Sequence, residues 1–196
     1  MPVRNHPLRA LCASALLAFS VLPQFAAADT FLTPRMMTAS PEGSNGLCSR
    51  YGWACAVGQV QGQIDADGLR IATQLNNKVN ARVREVSDQS QYRRAEVWTL
   101  PTARGGDCED FALLKKKMLI ERGFPANQLL IATVLDRNNA PHAVLVVRTT
   151  DGDYVLDNLT NRVKTWRETG YTFLKMQDPE APHLWQAVLA GGLVQS

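Results

Sequence analysis

Histidine is scarce in this chain: three among 196 residues, one of them, His6, close to the N-terminus. Any imidazole chemistry in the body of the protein must therefore draw on His142 or His183. Long apolar runs are also lacking. The stretch Ala10 to Leu22 is too short to cross a bilayer comfortably as a permanent helix, and no later segment is longer. No internal repeat or low-complexity tract is present. Nor does one sign of charge dominate, since 21 Lys and Arg face 18 Asp and Glu. A nucleic-acid footprint would need a clustered basic face. Arg82, Arg84, Arg93 and Arg94 read instead as a solvated helix face, as do Lys115, Lys116 and Lys117.

The N-terminus has the layout of an export signal. Arg4 and Arg9 form a positive n-region, Ala10 to Leu22 is apolar apart from Ser14 and Ser20, and Ala26-Ala27-Ala28 offers a cleavage site. Residues 1–28 are expected to be a cleaved signal peptide, leaving 29–196 as one domain in the periplasm or outside the cell. The net charge then falls from +3 to +1, because Arg4 and Arg9 leave and no acid does.

Cysteine is sparse but informative. Cys12 leaves with the signal, and Cys48 and Cys55 sit close together in a loop-like stretch. In an oxidising compartment that pair reads as a local disulfide. Cys108 is left unpaired, as either a buried hydrophobe or a reactive thiol.

Residues 29 to 58 are rich in Pro, Gly and Ser and read as irregular. From Ile64 to about Val86, Ile71, Leu75, Val79 and Val83 recur every four residues and predict an amphipathic helix. Residues 87 to 106 read as a long connection with a helical turn near Trp98. A second helix is expected from Asp107 to Arg122 on the stripe Phe111, Leu114 and Met118, stopped by Gly123. Strand-like runs follow at Leu129–Leu135, His142–Thr149 and Tyr154–Asp157, the last two flanking the hairpin signal Asp151-Gly152. Tyr171 to Met176 reads as another strand, and Trp185 to Leu193 as a strand or helix on the sheet. Helices followed by an antiparallel sheet define an α+β fold.

In G-G-D-C-E-D-F-A-L-L, Cys108 falls in the first turn of a helix, where free N–H groups and the helix dipole favour a thiolate. Gly105 and Gly106 would let another backbone, such as a substrate, approach closely. A thiolate nucleophile needs a base and a group to orient it, which points to His142 and Asp157 on facing strands. A two-residue turn at Asp151-Gly152 would separate them by about 13 Å at roughly 3.4 Å per residue. A four-residue loop, Thr149 to Gly152, sets Asp157 opposite Val144 and within reach of His142. Taken singly, each residue has an ordinary structural role open to it.

Together, G-D-C-E-D-F-A-L, P-H-A-V-L-V-V and D-G-D-Y-V-L-D-N resemble the bacterial transglutaminase-like cysteine peptidases, over about Trp98 to Tyr171. The resemblance implies a papain-like, transglutaminase-like α+β core with the nucleophile helix packed on an antiparallel sheet. Cys108 would be nucleophile, His142 base and Asp157 orienter, cutting a protein substrate through a thioester. In related transglutaminase folds an upstream Trp shapes the oxyanion site, which makes Trp98 a candidate. One branch of the family is periplasmic, releases biofilm adhesins from the outer membrane, and is sequestered by an inner-membrane cyclic-di-GMP receptor. The Cys48/Cys55 pair is a departure from that branch.

Asp107, Glu109 and Asp110 would oppose ionisation of Cys108 unless they face away, with Asp107 capping the helix, or hold a cation. In the adhesin-cutting branch Ca²⁺ is held by acids flanking the cysteine, which makes Asp107 and Glu109 candidate ligands. No organic cofactor is expected. Two rival functions remain: acyl transfer to an amine on the same triad, as in a transglutaminase or amidase, and a non-catalytic periplasmic binding module.

Overall fold

The computed structural model describes residue 1, residues 29–57 and residues 62–194. The expected signal peptide lies outside the described residues, Met1 apart. Seven strands form one antiparallel sheet: β1 (Met36–Thr38), β2 (Leu129–Leu135), β3 (Pro141–Arg148), β4 (Asp153–Leu156), β5 (Lys164–Thr165), β6 (Thr172–Gln177) and β7 (Trp185–Ala190). Their spatial order is β1-β7-β6-β2-β3-β4-β5. The helices are α1 (Leu47–Arg50), α2 (Ala66–Arg82), α3 (Asp88–Tyr92), α4 (Cys108–Ile120) and α5 (Trp166–Thr169).

The central strands β2 and β3 are apolar at nearly every position because both of their faces are covered. Leu129, Ile131, Leu145 and Val147 pack with α2 and α4. Leu130, Ala132, Val144 and Val146 meet Trp166, Phe173 and Val188 on the opposite face. Strand alternation thus sorts one continuous apolar run into two cores.

Both main helices bury the expected stripes only in part, Leu75 and Val79 in α2 and Phe111 in α4, and add neighbours beside them. In α2 the buried residues are Ala72, Leu75, Asn76 and Val79, while Ile71 is exposed. The burial follows the i, i+3, i+4, i+7 rule rather than a strict stride of four. In α4, Lys115 and Lys116 are 1% and 0% exposed, so they are not the solvated face that a lysine run suggests. Lys116 Nζ donates to Gln177 Oε1 at 2.8 Å, and Lys115 lies 5.7 Å from the Phe111 ring centroid. Leu114 and Met118 are only half-buried.

The turn expected near Trp98 forms instead at Asp88–Tyr92, where the Ser87 side chain accepts from Ser90 N–H. Trp98 itself is 1% exposed and packs edge-on against Trp185. The segment 29–57 holds α1, the edge strand β1 and the Cys48–Cys55 disulfide, whose Cα atoms lie 5.4 Å apart. On the chain-entropy model a loop this short is stabilised by about 2–3 kcal/mol. Arg50 donates to Trp98 O, and Tyr51 meets Thr99 Oγ1 at 2.9 Å, which ties this loop to the segment leading into α4.

Candidate active site

β3 and β4 pair with Arg148 opposite Asp153, so residues Thr149 to Gly152 make a four-residue loop. Thr149 N–H donates to Gly152 O across it at 2.9 Å. Extending this register places Asp157, one residue past β4, opposite Val144, the looser of the two geometries the sequence allows. His142 and Asp157 then share a sheet face, and His142 Nε2 lies 2.9 Å from Asp157 Oδ1. Burial raises the cost of charge on Asp157. Hydrogen bonds from His142, Tyr171 and Leu159 N–H outweigh it and hold the carboxyl below its ordinary range. An ionised carboxylate only accepts, so Nε2 carries the proton and Nδ1 is the free acceptor of a ring that lines the cleft.

Cys108 is half-buried at the start of α4. It lines a cleft of about 330 Å³ together with Trp98, His142, Ala143, Leu174 and Lys175. Glu42 and Glu96 stand exposed along the same cleft. The second histidine, His183, lines a different cavity beside Cys48 and Cys55. Trp98 Nε1 is buried without a hydrogen-bond partner among the described residues.

The helix start does not by itself favour a thiolate here. Burial pushes the Cys108 thiol up, and the charge of Glu109 and a bond to it push it further, against one Ala143 N–H that favours the anion. The thiol donates to Glu109 Oε2 at 3.3 Å rather than to His142. Gly105 and Gly106 also serve a local purpose. A Cβ on Gly105 would lie 2.0 Å from Arg84 O, and one on Gly106 would lie 2.4 Å from the Asp110 carboxylate. At these two positions the missing Cβ makes room for the Arg84 backbone and a buried carboxylate.

Asp107 occupies the N-cap of α4, but its side chain makes no cap bond and accepts from Asp88 N–H at 2.9 Å instead. Asp110 accepts from Thr99 N–H, and burial followed by the charge of Asp107 pushes its carboxyl up to about 8. Asp88, Asp107 and Glu109 each turn one carboxylate oxygen inward, all within 4.8 Å of one another. Asp88 Oδ1, Asp107 Oδ1 and Glu109 Oε1 are buried with no partner. Burial and the charge of Asp107 hold both Asp88 and Glu109 above their ordinary range. Orphaned buried oxygens that repel one another suit a hard cation, for which carboxylate oxygens are the preferred donors. Asp88 is the member the sequence did not suggest, since it stands 19 residues from Asp107 in a different helix.

A thiol on a helix start and a carboxylate-bound imidazole on an antiparallel sheet thus line one cleft, an arrangement suited to thiol acyl chemistry. Residues 35–192 match the model of the bacterial transglutaminase-like cysteine proteinases, and the chain belongs to that family. Its fold resembles calcium-bound LapG of Legionella pneumophila, with a TM-score of 0.53 and 23% identity over 68% of this chain and 78% of that one. A second LapG structure from the same organism gives 0.50 and 22%, over 65% and 72%. No curated protein sequence matches the chain.

Proposed function

We propose that the mature chain is a periplasmic cysteine endopeptidase that cleaves a protein substrate, with Cys108 as nucleophile, His142 as base and Asp157 as orienter. The observation that carries this reading is the His142–Asp157 hydrogen bond bordering a cleft shared with Cys108. Cys108 Sγ attacks the scissile carbonyl and passes its proton to His142 Nδ1. His142 returns that proton to the departing amine, leaving a thioester on Cys108. A water, deprotonated by His142, then attacks the thioester, releases the acid and restores the thiol.

Asp88, Asp107 and Glu109 would hold a Ca²⁺ ion, with the remaining oxygens drawn from backbone or water. Such an ion supplies positive charge against three carboxylates and offsets their push on the thiol. Support comes from the orphaned oxygens and from the calcium-bound state of a similarly folded protein. By resemblance to the adhesin-cutting branch, the substrate is a large surface adhesin and a membrane receptor is the regulator.

The test uses the mature protein with Ca²⁺ and the surface proteins of its own cells, with new N-termini read by mass spectrometry. Wild type should create discrete termini that Cys108→Ala does not. Equal cleavage by the Cys108→Ala protein would sink the proposal. Incorporation of a labelled amine without new termini would make the chain an acyltransferase instead.

A further inference from the structure

Tyr171 falls between the end of α5 and the start of β6, and nothing in its sequence context marks it for chemistry. It is 7% exposed, and its hydroxyl donates to Asp157 Oδ2 at 2.6 Å. The other carboxylate oxygen, Oδ1, already accepts from His142 Nε2 and, at 3.0 Å, from Leu159 N–H. Among the described residues, Tyr171 is therefore the sole partner of Oδ2. Its ring also stands against the imidazole at 89° with centroids 6.0 Å apart, an edge-on contact of favourable geometry. One side chain touches both His142 and Asp157.

The tyrosine is itself held in place. Gly170 takes the left-handed φ of 71° that turns the chain out of α5, and Tyr171 N–H donates to Thr169 Oγ1 at 3.1 Å. Arg137 Nε donates to Thr169 O at 2.8 Å, which pins the same turn from the β2–β3 connection.

We propose that Tyr171 is a positioning residue of the Cys108–His142–Asp157 set, fixing the Asp157 carboxylate and the imidazole plane together. The inference rests on the peptidase reading given above. A carboxylate turns easily about its last torsion, because that rotation is broad and two-fold. With both oxygens engaged on opposite sides, rotation would break three hydrogen bonds, so Oδ1 stays aimed at Nε2. Nδ1 is thereby kept as the free acceptor of the ring. Burial and the bond to Asp157 raise the Tyr171 hydroxyl, so it remains a donor throughout the working range. The other charges nearby are Lys115, which acts on Asp157 from α4, and Arg137 and Asp136, which act on Tyr171.

The test compares Tyr171→Phe, which removes only the hydroxyl, with Tyr171→Leu, which also removes the edge-on ring. A hydrogen bond to a charged group is worth about one to two powers of ten, so Tyr171→Phe should lower kcat about ten- to a hundredfold. KM should stay within about twofold. Tyr171→Leu should lower kcat further. The His142 Nε2–H proton resonance, followed by NMR in labelled protein, should move or broaden in Tyr171→Phe while Tm changes little. That resonance needs no substrate, so it still tests Tyr171 if the wild type proves to have no peptidase activity. Wild-type kcat with an unmoved His142 resonance in Tyr171→Phe would overturn the proposal. So would a loss of activity that merely tracks the loss of Tm in both variants.

Discussion

Asp157 accepts from an imidazole, a phenol and a backbone N–H on one buried carboxylate. Its proposed task is to keep the proton on Nε2 so that Nδ1 can take one from Cys108. This predicts a graded result at a single residue. Asp157→Ala deletes the acceptor and should cost up to about 10⁴ in kcat, the size of loss seen when a triad's carboxylate is replaced. Asp157→Asn can turn its oxygen to Nε2–H, as the Asn of papain-like Cys-His-Asn sets does. It should then cost less, with its amide turned to the Tyr171 oxygen as a donor. Steady-state kinetics on both variants checks the order, and an Asp157→Ala protein as active as wild type would exclude the role. The shared face was legible in the sequence, because residue parity puts His142 and Asp157 on one side in either hairpin register. The four-residue loop that brings them within reach is fixed only by the observed pairing. The second partner, Tyr171, was not legible. A tyrosine opening a strand is ordinary, and only the turn at Gly170 brings it beneath the carboxylate.

At the scale of elements, the strands were legible and the helix faces less so. Apolar runs such as Leu129–Leu135 are conspicuous, whereas β1 and β5, of three and two residues, are too short to show a period. Helix α4 misleads because burial usually selects against lysine, yet Lys116 is 0% exposed and bonded to Gln177. Gln177 also donates to Ala54 O and Pro182 O, so this contact fastens α4 to the disulfide loop and the β6–β7 connection. Burial lowers the Lys116 ammonium to about 7. Because the folded value lies below the unfolded one, the unfolded chain binds more protons between about pH 7 and pH 10.5. Stability therefore rises with pH across that window and is lowest below it, where a charged lysine stays buried. Lys116→Met removes the charge and keeps much of the volume. It should stabilise the protein by on the order of a few kcal/mol at pH 7, with the advantage shrinking towards pH 10. Thermal unfolding of both proteins at several pH values measures the gap, and a pH-independent gap would contradict the argument.

Across the whole molecule, the acidic site joins parts that the chain keeps far apart. Asp107 and Glu109 belong to α4, while Asp88 opens α3 at the other end of a connection folded back on itself. That connection is held by Val86 N–H on Gly106 O and by Val97 N–H on the Asp88 carboxylate. A cation there would staple the connection to the thiol-bearing helix, and without one the three carboxyl groups cannot all ionise without mutual repulsion. Glu109 is raised when folded, so the cation-free protein loses stability as pH climbs from about 4.5 through that raised value. Calcium should cancel this loss. At a hundredfold excess over its dissociation constant a ligand stabilises by about 2.7 kcal/mol, or several degrees in Tm for a chain of this size. Glu109→Gln should raise the Tm of chelated protein at neutral pH while weakening its response to Ca²⁺, and Asp88→Asn should do the same. If Ca²⁺ moves the Tm of wild type and both variants equally, the ion binds elsewhere and the carboxylates must be satisfied by some other means. If only wild type responds, α3, the connection and α4 act as one calcium-ordered unit around Cys108.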